Sequence, residues 1–227
     1  MAMARSTLHD VVVGGAQVAA TTLSAPIVRR RYNRWGATDD EVAGAMPGDL
    51  LVAEPRMTYT RALTIASSPD RVWPWLAQIG QGRGGLYSFD GLENLVRCDI
   101  HSVDRILPEH QDVAAGDLIR MGPPGYPCFR VHAVDPPGSL VLIGADPKPP
   151  HAAAQADSPS GVSTWQWQLR PADGGRATRL IVRQRLTYPD GQALLWHLVE
   201  PVAFVMERQM LRGLRDRAEA RAATAPP

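Results

Sequence analysis

The sequence predicts an α+β domain, a mostly antiparallel sheet with a long C-terminal helix lying on it, and three observations lead there. Stretches rich in β-formers alternate with turn sequences, Pro123-Pro124-Gly125, Pro136-Pro137-Gly138 and Asp173-Gly174-Gly175. A helical pattern fills Gln192 to Arg221. Between the first strand and the others, Ser68 to Val96 packs two short amphipathic segments around a glycine-rich turn.

Taken in order, Val11 to Val28 is an uncharged run followed by Arg29, Arg30, Arg31 and Arg34, the pattern of an apolar segment with a basic flank. Its glycines, Gln17, Thr21, Thr22, Ser24 and Pro26 make it poor as a bilayer span, and Asp10 beside it argues against a secretion signal. The expectation is a helical arm resting on the protein or a partner, with peripheral membrane contact as the alternative. Thr38 followed by Glu41 has capping-box spacing and predicts a short helix ending before Pro47 and Gly48.

Thr58 to Ile65 alternates and reads as the first strand. Ser68 is placed to cap the next helix, Pro69 suits its first position, and Val72, Trp75, Leu76 and Ile79 share its apolar face. Gly80, Gly82 and Gly85 match the spacing of a dinucleotide-binding loop, yet a helix rather than a strand leads in, and the only lysine is Lys148. They read instead as a tight turn needing positive φ. Strands follow at Asp117 to Met121, Phe129 to Val134, Leu140 to Ile143, Ser163 to Leu169 and Thr178 to Tyr188. The Ala-, Pro- and Ser-rich stretch from Pro147 to Gly161 predicts a mobile loop.

In the last helix, Leu195, Val199, Val202, Met206, Met210 and Gly213 share one face, predicted to meet the sheet. Glu207, Arg208, Arg212, Arg215 and Glu219 are predicted to face outward. Pro201 cannot donate to the carbonyl of His197 and predicts a kink or a helix restart there. Domain boundaries follow: an arm over 1–56, the sheet-and-helix domain over 57–221, and a disordered tail over 222–227.

Charged residues make up 21% and leave a formal charge of +1, which gives no support to nucleic-acid binding. Cys98 and Cys128 have neither metal-ligand nor redox-motif spacing and suit a reducing compartment, so a cytoplasmic protein, membrane-associated if the arm binds one, is expected. His101, Asp104, Glu109 and His110 match no metal-ligand spacing, and no cofactor motif is found.

The order of strand, two short helices, antiparallel strands and long helix resembles the helix-grip fold of the START-like, or SRPBCC, superfamily. So do the words RWGAT and PGD before the domain, VWPWLAQIGQGRGGLYSFDGLENL at the helix pair, and EPVAFVMERQMLRGLRDRAE in the last helix, which look like its bacterial, polyketide-cyclase-like members. The likeness covers nearly everything after Arg34. It implies a curved sheet wrapped around the last helix, with a cavity between them for a hydrophobic small molecule, a lipid or a polyketide-like compound.

Two roles follow from that implication: binding, carriage or sensing of such a molecule, or a cyclase or dehydratase using general acid/base groups in the same cavity. Candidate ligand-binding residues are Trp165 and Trp167, which share a strand face, Arg183, Val199, Met206 and Met210. The indoles and methionines serve equally as ordinary core. Arg183 shares strand parity with Arg179 and Arg185, and parity leaves open which side of the sheet the row occupies. For an enzyme, the candidates are Tyr87, His101, Glu93 and Arg83. Arg83, Tyr87, Asp90, Glu93 and Asn94 are expected to cluster near the turn, either anchoring a ligand or bracing the two short helices.

Overall fold

The computed structural model describes residues 2–148, 151 and 161–224, with side chains over 8–148, 151 and 161–220. Most of the predicted 147–161 loop and the side chains of the predicted tail at 222–227 lie outside the described residues.

The chain opens with α1 (Ala2–Tyr32) and α2 (Asp39–Ala43), where Thr38 and Glu41 form the capping box in both directions. β1 (Met57–Ile65), α3 (Pro69–Ala77) and α4 (Asp90–Leu95) follow. Pro69 begins α3, while Ser68 caps it only by backbone conformation, its hydroxyl making no capping bond. The strands β2 (Leu118–Arg120), β3 (Cys128–Asp135), β4 (Ser139–Ala145), β5 (Ser163–Ala172) and β6 (Ala177–Leu186) precede α5 (Ala193–Thr224). All pairings are antiparallel in the order β1-β6-β5-β4-β3-β2. This is the curved sheet and long terminal helix of the helix-grip fold.

Gly80, Gly82 and Gly85 all have positive φ, and Gly80 and Gly85 exchange backbone hydrogen bonds of 2.9 and 3.1 Å. A Cβ on Gly85 would meet the Ser102 backbone nitrogen at 2.7 Å, so the turn needs glycine for close approach as well as for its backbone angle.

Strand parity sorts the sheet into two faces. The inner face carries Ile65, Leu140, Leu142, Trp165, Trp167, Leu180 and Val182 against Val72, Leu76 and Ile79 of the α3 region and Met210, Leu211 and Leu214 of α5. The outer face is covered by the segment after α1. Its backbone bonds to β1 (Thr60 N–H to Asn33 O, 2.9 Å; Ala62 N–H to Trp35 O, 3.0 Å), and Met46 and Ala37 pack on Ala62 and Ile181.

The arginine row lies on this outer face. Arg179 pairs with Glu41 at 2.7 Å and Arg183 with Asp49 at 2.7 Å. Arg183 also donates to Thr60 Oγ1 and to the carbonyls of Gly44, Glu41 and Val42, so its partners all come from the protein. The Arg179 guanidinium holds the Glu41 carboxyl at about 2.

The predicted face of α5 needs correction in its first half. Leu195, Val199 and Val202 are exposed, and the buried stripe there is Glu200, Phe204 and Glu207, continuing through Leu211, Leu214 and Ala218. Glu207, predicted outward, is buried because Arg61 of β1 reaches it from the inner face of the sheet. Hydropathy periodicity counts a carboxylate as outward-facing, and a buried guanidinium on another element reverses the assignment. α5 runs unbroken past Pro201.

Candidate functional site

Three elements converge where α5 begins. α1 lies across α5, with the Tyr32 ring stacked on Phe204 at 5.1 Å and Val13, Val18, Ala25 and Val28 packed on that cluster. Beneath it, Arg61 is fully buried between the Tyr59 and Phe204 rings (4.9 and 5.1 Å) and pairs with Glu207. Glu207 also accepts from Trp165 Nε1 (3.0 Å) and Gln184 Nε2 (2.8 Å), while Arg61 Nε donates to Tyr32 O (3.1 Å). The inner space at this level is thus filled by a polar cluster under an aromatic lid.

Above the cluster, between α1 and α5, a groove of about 270 Å³ is walled by Ala25, Pro26, Leu198 and Pro201. A second depression of about 510 Å³ shares Pro26 and Arg29 with it. The groove's polar groups are Thr22, Arg29, Tyr32, His197 and Glu200. Glu200 is buried and accepts from Arg29 Nε (3.0 Å) and from Asn33 Nδ2, with His197 Nδ1 3.6 Å away. Arg29 engages Glu200 through Nε, and its terminal nitrogens have no partner among the described residues. Burial, reinforced by the Glu200 charge, pushes the Tyr32 phenol up to about 12, so it stays a neutral hydroxyl. An apolar wall, an accessible guanidinium and a histidine–carboxylate pair can hold an apolar molecule by a carbonyl or acidic head, or move a proton at it.

The residues singled out from the sequence are dispersed. Trp165 and Trp167 face the helix side, 4.9 Å apart, as packed core. Met210 is core, while Met206 is half-buried beside the Tyr32–Phe204 cluster. Val199 is 41% exposed, and Arg183 lies across the sheet from the groove.

The four acid/base candidates do not form one site. Tyr87 is buried; its hydroxyl donates to Trp75 O (3.1 Å) and accepts from Gln78 Nε2 (2.9 Å). Arg83 donates to the carbonyls of Ala77 and His110, bracing the turn. His101 is exposed beside Asp99. Glu93 is buried against α1, where burial, then the charges of Asp90 and Asp10, push its carboxyl up to about 8. The expected cluster around Arg83 does not form: Asp90 accepts from the Ser102 backbone and hydroxyl, both at 2.6 Å, and Asn94 bonds Ile100. Packing of α4 on α1 and on the 99–102 loop turns those groups away from the turn.

A further basin of about 610 Å³, at the far end of α5, is lined by Trp75, Ile106 and Ala220 and rimmed by charges, of which Asp104 and Arg217 pair at 2.8 Å. It holds no buried carboxylate, which sets it apart from the α1–α5 groove. The groove's own residues were missed in the sequence. One signal pointed to them, His197-x-x-Glu200 directly before Pro201; a second, Arg61 sharing strand parity with Tyr59, Leu63 and Ile65, pointed to the polar cluster beneath the groove.

No family model matches the chain, and no curated protein matches it significantly. Among solved structures, it is similar to a protein from Mesorhizobium loti (18% identity, 75% of this chain and 100% of that one, TM-score 0.43). It is similar also to a Rhodobacter sphaeroides protein (17%, 74% and 93%, TM-score 0.43) and to the Aha1 dimer from Colwellia psychrerythraea (15%, 72% and 96%, TM-score 0.40).

Proposed function

We propose that this protein binds a hydrophobic small molecule with a carbonyl or acidic head, a lipid or polyketide-like compound, and carries or senses it. We infer further that it is a polyketide-cyclase-like member of the START-like superfamily working in the cytoplasm, where Cys98 and Cys128 stay free. One observation carries the binding reading: the groove between α1 and α5 joins apolar walls to the accessible Arg29 guanidinium above a buried carboxylate. Its size, with the depression beside it, suits a small ligand.

Titration with cis-parinaric acid, a fluorescent fatty acid, tests it, with native mass spectrometry for co-purified molecules. Saturable binding is expected, weakened about tenfold or more in Ala25→Trp, which fills the groove. Absence of saturable binding, or equal binding by that variant, overturns the proposal. A second reading, a cyclase or dehydratase using general acid/base transfer, is favoured by His197 and Glu200 lying 3.6 Å apart in the groove. Deuterium exchange at the α-carbon of a bound ketone, lost in His197→Ala, would support it; no exchange in the wild type removes it.

A further inference from the structure

α1 has no polar outer face. Its inward side packs on the domain at Gly14, where a Cβ would sit 3.1 Å from the Phe89 ring, and at Val18, Val28 and Tyr32. The outward side repeats Leu8, Val12, Ala16, Ala19, Leu23 and Ile27 at helical spacing, all exposed, with Leu23 and Ile27 84% and 87% exposed. The start of α5 extends this surface: Leu194, Leu195, Leu198, Val199 and Val202 are exposed, and Leu198 shares the groove with Ala25 and Pro26. Scattered exposed leucines need no explanation, but a stripe along one helix that continues onto the next does.

The unpaired charges at this surface are basic. Asp10 turns inward to the Gly91 backbone, and Asp190, just before α5, is paired with Arg56 at 2.6 Å. No acidic residue occurs between Val11 and Tyr32, and the only one in α5 before Phe204 is the buried Glu200. At the end of the stripe Arg30 and Arg31 are exposed and form no ion pair among the described residues. An apolar helix face with an unpaired basic edge complements an anionic lipid surface, where side chains enter the acyl boundary and guanidinium groups meet headgroups.

By length and hydropathy, Leu8–Tyr32 also qualifies as a bilayer span. It is held along its length, however, by the Gly14 contact, the Arg29–Glu200 pair and the Tyr32–Phe204 stack. Spanning would break all of these, whereas lying flat in the interface keeps them.

We propose that the outward face of α1 and the first turns of α5 dock this protein, in the plane of the interface, on membranes containing anionic lipid. The α1–α5 groove opens at the same surface, although docking does not require it to be filled. The full-length protein should co-float with phosphatidylcholine vesicles containing phosphatidylglycerol and not with phosphatidylcholine alone, and alkaline carbonate should release it. Arg30→Ala with Arg31→Ala should weaken binding about thirtyfold, given the worth of two surface arginines. Ile27→Glu with Leu198→Glu should abolish it while leaving the circular dichroism spectrum unchanged.

Equal binding to neutral vesicles, no binding to either, or retention after carbonate overturns the proposal, the last in favour of a spanning helix. A lipid-free dimer that dissociates in the Ile27→Glu variant also overturns it, in favour of a second copy on this face. Flotation needs no ligand and the fatty-acid titration needs no vesicle, so this inference and the ligand reading fail separately.

Discussion

The two halves of α5 have opposite amphipathicity. Toward the C-terminus, Leu211, Leu214 and Ala218 are buried while Arg215, Asp216 and Glu219 are polar and lie at or near the surface, the order expected of a helix on a sheet. Toward the N-terminus, Glu200 and Glu207 are inside and Leu194, Leu195, Leu198, Val199 and Val202 are outside. The first arrangement maximises apolar burial. The second buries carboxylates that need Arg29 and Arg61 as counter-charges, with Asn33, Trp165 and Gln184 as further donors, and leaves apolar surface facing outward, a departure from local consistency that points to the half of the helix with work to do.

The contrast breaks most sharply at Glu207. Glu207→Ala leaves Arg61 buried without its carboxylate and should cost about 3–5 kcal/mol in denaturant unfolding. Replacing Arg61 and Glu207 together by Met should recover most of that loss, which would identify the pair as replaceable for stability. In the other half, Leu214→Ala should cost about 2–4 kcal/mol through the cavity it opens, with no such rescue.

The arm supplies a pH-dependent version of the same test. Because the Glu93 carboxyl is raised to about 8, burial against α1 favours its neutral form. That stability is fully present below the ordinary carboxylate range and is lost as pH rises through about 8. Wild-type Tm should therefore fall by several degrees between pH 6 and pH 9, and Glu93→Gln should flatten the profile over that window. On the outer face the sign is opposite. Glu41 is lowered to about 2, so its contribution is present above the ordinary carboxylate range and fades as pH falls toward about 2, a loss that Glu41→Gln should not show. The smallest effect belongs to the exposed stripe: Leu195→Ser should change stability by less than about 0.5 kcal/mol.

Much of the architecture was legible beforehand because it rests on local rules. Alternation marked the first strand, β-forming stretches between turn sequences marked the others, the Thr38–Glu41 box marked α2, and three glycines, all with positive φ, marked the turn. The candidate site was not legible in the same way. Tyr87, Glu93 and Arg83 are neighbours in sequence, yet their polar atoms are directed to different backbone and helix partners. The groove residues Arg29 and Glu200 lie far apart in the chain and meet only because α1 folds back over α5. Arg183 was correctly placed in a row with Arg179 and Arg185, but the side of the sheet came from Glu41 and Asp49 in the covering segment.

The sequence by itself determined most of the elements, their order, the antiparallel pairing and the uncharged run ahead of the arginines in the first helix, since these follow from composition, periodicity, capping and turn chemistry acting over a few residues. Tertiary structure decided which way the start of α5 faces, which carboxylates are buried and where a ligand would sit. Those outcomes depend on guanidinium groups delivered from remote segments, and a charge changes sides when its counter-charge is already inside.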